Sequence, residues 1–66
     1  MYININEKGF ELNENVTIQS LIDMLKLDIR STAVALNRAI IPKSRFSEVR
    51  LKENDKIDLV TIAPGG

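Results

Sequence analysis

Neither cysteine nor histidine occurs anywhere in this 66-residue chain. The first absence removes disulfides, thiolate chemistry and cysteine metal ligands; the second removes the side chain that most often moves protons near pH 7. No catalytic, metal-binding or cofactor-binding set is expected from what remains. Nine Lys and Arg balance nine Asp and Glu, so there is no basic footprint for nucleic acid and no acidic tail. No apolar run approaches the ~20 residues of a membrane span, and the opening MYININEKGF has neither a basic segment nor an apolar stretch of signal type. The expectation is a soluble, cytoplasmic protein with no nucleic-acid or membrane partner. At this length one domain forms at most, burying roughly 60% of its unfolded surface, which leaves little material for a deep active site.

What is present is a regular apolar pattern. Ile3 and Ile5 alternate with Tyr2 and Asn4, NEKG supplies a turn, and Phe10 and Leu12 resume the alternation, which reads as a β-hairpin. Thr17 can cap a helix from Ile18, where Ile18, Leu21, Ile22 and Leu25 form one stripe over about three turns. AVAL reads as a strand with Val34 and Leu36 inward, and AII as a strand limited by Pro42. Phe46 is expected to plug the core, VRL to add one more short strand, and KIDLVTI to be the longest. The resulting layout is an α+β domain, one helix packed across one face of a mixed sheet. Its core list is Ile3, Ile5, Phe10, Leu12, Ile18, Leu21, Ile22, Leu25, Val34, Leu36, Val49, Leu51, Ile57 and Leu59.

The last strand carries a second signal. If Ile57 and Leu59 point inward, alternation sends Asp58, Val60 and Ile62 to the opposite face, and apolar residues there suggest a docking surface; burial of one of them by a twist or bulge is the competing reading. Arg38, Lys43, Arg45, Arg50 and Lys52 read as solvated surface, and Tyr2 and Asn37 as surface and turn residues. Asp55 and Asp58 are ordinary turn and strand carboxylates.

Over its whole length, and in VALNRAIIP, RFSEVRLKENDKIDLV and the closing Gly65-Gly66 in particular, the chain resembles the bacterial sulfur carrier family of thiamine biosynthesis, whose fold is the ubiquitin-like β-grasp. It departs from the family in two places: END carries no glycine beside Asp55, and Pro64 stiffens the residue before the glycine pair. The resemblance implies a β-grasp domain over residues 1–61 and a flexible tail over 62–66. It also implies that the Gly66 carboxylate is adenylated by an ATP-dependent adenylyltransferase, converted to a thiocarboxylate with sulfur from a donor such as a cysteine desulfurase, and drawn on by thiazole synthase. On that reading Gly65 and Pro64 are recognised in the tail and Val60 and Ile62 on the surface. The chain itself is a monomeric protein cosubstrate that binds no cofactor, ATP being used by the partner. A molybdopterin-synthesis carrier and a ubiquitin-like modifier share the fold and the Gly-Gly ending; a β-grasp interaction module with an incidental tail is the alternative of another class. Glycine suits the carrier role because a residue without Cβ lets a narrow channel close on the backbone and leaves the acyl carbon open.

Overall fold

A computed structural model describes residues 1–62. Five strands form one mixed sheet in the order β2-β1-β5-β3-β4: β1 (Tyr2–Ile5), β2 (Lys8–Glu11), β3 (Thr32–Leu36), β4 (Ala39–Ile41) and β5 (Lys56–Thr61). Among the described residues one α-helix, α1 (Ile18–Met24), follows the first hairpin. Both hairpins are antiparallel, β5 runs parallel to β1 and antiparallel to β3, and the domain is an α+β, ubiquitin-like β-grasp. The core lies between the helix and one sheet face, where Ile3, Ile5, Val16, Ile18, Leu21, Ile22, Val34, Phe46, Leu51 and Ile57 are buried.

Local chemistry fixes the helix at both ends. Thr17 is extended (φ −92°, ψ 167°), and its hydroxyl accepts from the Ser20 amide. The Ile18 and Gln19 amides, left over by helix geometry, donate to the carbonyls of Val49 and Phe46. The other end corrects the sequence reading. Lys26 takes φ 57°, its amide donates to the Asp23 carbonyl, and the Leu27 amide donates to the Ile22 carbonyl. This left-handed stop turns the chain back after two turns, not three. Leu25 is therefore 45% exposed and outside the core, while Leu27 packs against it.

Two further expectations change. Phe10 pairs with Ile3 and shares its face, but β2 is an edge strand with every residue exposed, so the ring is only partly covered. VRL forms no strand: Arg50 makes a single bridge to Thr17, and the Val49 carbonyl is used by the helix start. Leu51 is buried all the same, whereas Leu12, Leu36, Val49 and Leu59 pack against the core half-buried. Phe46 is the expected plug, 1% exposed. On the opposite sheet face Tyr2 lies across Gly9, where any Cβ would overlap its phenol, so the tyrosine covers the one glycine of the hairpin.

The first hairpin is closed by charge as well as by the ladder. The Met1 ammonium donates to the Leu12 carbonyl at 2.6 Å and pairs with the carboxylates of Glu11 (3.1 Å) and Glu14 (3.3 Å). Chiefly through its hydrogen bond to Glu11, against some desolvation and with Glu14 adding, its pKa stands above the ordinary 8.0. Asp28 is shifted the other way, downward, by hydrogen bonds from the Arg30 side chain and amide.

Two outcomes follow for stability. Leu21→Ala should cost ~2–5 kcal/mol, a large part of the total for so small a domain, whereas Leu25→Ala should cost under ~1 kcal/mol; denaturant titration of both variants distinguishes the two-turn helix from a three-turn one. Because the Met1 pKa is raised on folding, its contribution is fully present below pH 8.0 and is lost as pH rises through the folded value. Glu11 and Glu14 are exposed, so water and salt screen the effect. Melting curves at increasing pH should show an alkaline decline that flattens when Glu11 and Glu14 are both changed to Gln.

Candidate functional site

β5 delivers the chain toward Gly66, and its alternation decides what surrounds the exit. Ile57 and Leu59 lie opposite Leu36 and Val34 on the core face. Asp58 and Val60 lie opposite Ala35 and Ala33 on the other face, and Ile40 on β4 lies opposite Ala35. Val60 is 59% exposed, Ile62 53% and Ile40 76%. Together with half-buried Ala33 and Ala35, these residues draw an apolar strip across the uncovered face, at the end of β5 from which the tail departs. Both residues expected at a docking surface are therefore exposed, and no bulge buries either. Pro64, Gly65 and Gly66, with the expectations placed on them, lie outside the described residues.

The other end of the same face is polar. Asn4, Glu7, Arg38, Lys56 and Asp58 line a shallow depression of about 330 Å³. Glu7 and Arg38 reach it from two tight turns, Asn6-Glu7 (φ 48° and 70°) and Asn37-Arg38 (φ 50° and 71°). Left-handed backbone at both central positions is the hairpin turn that asparagine opens readily and glycine usually completes. Here charged residues stand in the second place, at some conformational cost. Lys43, Arg45, Arg50 and Lys52 are exposed and do not line the depression. Among the described residues no group of His, Cys, Asp or Glu is arranged to hold a metal ion.

Three side-chain roles were absent from the sequence reading. The Asn37 side chain accepts from the Lys56 amide at 3.0 Å and donates to Asp55 at 3.1 Å, and Asp55 in turn accepts from the Lys52 amide at 2.7 Å. This chain of bonds sets the entry of β5. Asn54, in the END turn that lacks glycine, has φ 69° and takes the conformation a glycine would serve. Asn6 acts as a substitute peptide group: its side-chain oxygen accepts from the Leu59 amide at 2.8 Å and its NH2 donates to the Leu59 carbonyl at 3.3 Å. The signal for the turn asparagines was available in INEK and LNRA, where Asn precedes a charged residue between two alternating runs.

Comparison with known proteins agrees with this geometry. A crystal structure of the thiamine biosynthesis protein (ThiS) from Geobacter metallireducens superposes with a TM-score of 0.86, each chain covered in full, at 22% identity; that likeness speaks for the fold. The sulfur carrier protein ThiS of Bacillus subtilis is 32% identical over 65 residues, covering 97% of this chain and 98% of its own. A thiazole synthase of Paramagnetospirillum magneticum is 33% identical over all 66 residues, and the chain spans only 20% of that protein's length. The model of the ThiS family matches residues 2–66, from the first strand through the glycine pair, and the chain belongs to the ThiS family.

Proposed function

We propose that this chain is a sulfur carrier protein of thiamine biosynthesis, a cosubstrate whose reacting atom is the carbonyl carbon of Gly66. The observation that carries the reading is that the family match runs through Gly66, beyond a strand that delivers the tail beside an exposed apolar strip. A free carboxylate is a poor electrophile because its charge is delocalised and oxide is not a leaving group. An ATP-dependent adenylyltransferase removes that obstacle. The Gly66 carboxylate oxygen attacks the α-phosphorus, pyrophosphate departs, and the acyl-adenylate has AMP as its leaving group. A persulfide sulfur, supplied through a cysteine desulfurase or similar donor, attacks the acyl carbon and displaces AMP. A thiol then cleaves the S–S bond, leaving the thiocarboxylate on Gly66 and a disulfide on the donor side. Thiazole synthase takes the sulfur; in the Paramagnetospirillum protein of that name, a segment similar to this whole chain makes up a fifth of the length, which supports the pairing.

The chain's own part is binding and reach. Val60 and Ile62 contact the partner; Pro64 and Gly65 pass through its channel. Six residues from Thr61 extend at most ~20 Å, enough for the folded domain to stay outside while Gly66 enters an active site. Chemistry is left to the partners, which accords with a chain that has no His or Cys.

Removing Gly66, or adding one residue after it, should abolish adenylation by the cognate adenylyltransferase while the melting temperature stays the same. Deletion withdraws the acyl carbon by ~3.3–3.6 Å, where ~1 Å of misplacement can cost a hundredfold in rate, and extension locks the carbonyl in a peptide bond. Gly65→Ala should slow the reaction more than it weakens docking. Full thiazole formation with the protein lacking Gly66 overturns the carrier reading.

The exposure of Val60 and Ile62 makes a surface test clean. Val60→Asp and Ile62→Asp should fold normally by circular dichroism yet bind the adenylyltransferase at least ~10-fold more weakly, because a charge set in an apolar contact is desolvated without a partner. Unchanged affinity in both folded variants removes these two residues from the interface.

A further inference from the structure

We propose that Asn6 is a positioning residue for partner binding: its side chain holds the exposed end of β5, and with it Val60 and Ile62, in the shape that the adenylyltransferase recognises. The inference rests on the carrier reading and deepens it. The parallel ladder between β1 and β5 is short, with Asn4 beside Lys56 and Ile5 beside Ile57. It closes where the Asn6 amide donates to the Ile57 carbonyl at 3.0 Å. One more rung would use the main-chain carbonyl of Asn6, but the chain turns away there at φ 48°. The side chain completes the rung instead. Its oxygen accepts from the Leu59 amide at 2.8 Å, and its NH2 donates to the Leu59 carbonyl at 3.3 Å. The turn itself does not require these bonds, since glycine serves left-handed backbone as well.

What depends on Asn6 is the part of β5 that outruns β1. On the β3 side the strand stays paired to its end, Leu59 with Val34, Val60 with Ala33 and Thr61 with Thr32. On the β1 side, among the described residues, the bonds past Ile57 come from Asn6. A strand bonded along one side only is an edge, free to twist beyond what a central strand allows. Leu59 is half-buried against the core, and Val60 beside it is exposed on the open face, so a rotation at Leu59 moves the docking residues with it. Both bonds are exposed to water and add little stability. Their effect is on the population of the docking-ready strand, and apparent affinity falls in proportion to that population. The fold contains a matched comparison. Asn37 holds the same place in the second turn, at φ 50°, and its side chain also makes two bonds at β5, to the Lys56 amide and to Asp55. The two asparagines hold opposite ends of one strand, and Asn6 holds the end that carries Val60.

Steady-state adenylation of the full chain by the adenylyltransferase of its own host, measured well below the melting temperature, separates positioning from stability. Asn6→Gly should raise KM for the carrier at least ~5-fold with kcat nearly unchanged, because the bound complex restores the strand. Hydrogen exchange at the Leu59 amide should become at least ~10-fold faster in the same variant. Asn37→Gly should lower the melting temperature by a similar amount and leave KM as it was. Asn6→Asp keeps the accepting oxygen and loses the NH2, so its KM should fall between those of Asn6→Gly and the unaltered chain. An unchanged KM in folded Asn6→Gly, or in Asn6→Asp if the glycine variant does not fold, overturns the proposal. Equal rises in KM for Asn6→Gly and Asn37→Gly also overturn it, since they report a general loosening of the fold. Either result leaves the carrier reading standing, whereas absence of adenylation of the unaltered chain overturns both.

Discussion

The structure depends on the register of one strand. β5 lies between β1 and β3, and its two-residue period sorts every consequence. Ile57 goes to the core, and Asp58 and Val60 go to the open face. A slip of one residue would bury Asp58 and expose Ile57. Polar side chains pin the register in two places. The Asn37 and Asp55 side chains hold the start of the strand, and the Asn6 amide holds its middle, so side chains from the two hairpin turns align the central strand.

That register divides the domain into a side that confers stability and a side left free. The helix, the Phe46 plug and the inward strand residues, joined by Val16 and Leu51 from the loops, make the core, and the helix start is tied to the 46–49 segment by backbone bonds. The other face carries an apolar strip at the tail end and a charged depression at the far end. On the carrier function proposed above, the domain supplies recognition and the partner enzymes supply activation.

Much of this was legible in the sequence because it rests on short-range rules. Alternation located β1, β3, β4 and β5, Thr17 marked the helix start, and the parity of Ile57 and Leu59 placed Val60 and Ile62 outside. The helix end was hidden because Lys26, not glycine, occupies the left-handed stop, so the stripe of Ile18, Leu21 and Ile22 seemed to run on to Leu25. Phe10 was misassigned because alternation gives the face and not the distance from the cover, and β2 turned out to be the outer edge. The place of Ile40 and the bonds from Asn6 to Leu59 depend on which strands become neighbours, a long-range property that no local pattern encodes. The expectation placed on the glycine pair rests on the family resemblance, which neither periodicity nor composition supplies.

The central claim is that sulfur is carried at Gly66, and intact-protein mass spectrometry tests it most directly. The full chain, incubated with its adenylyltransferase, ATP and a persulfide donor, should gain the mass difference between one sulfur and one oxygen, and fragmentation should place the change on Gly66. A mass that stays unchanged after ATP has been consumed, or a gain located anywhere else in the chain, would contradict the account.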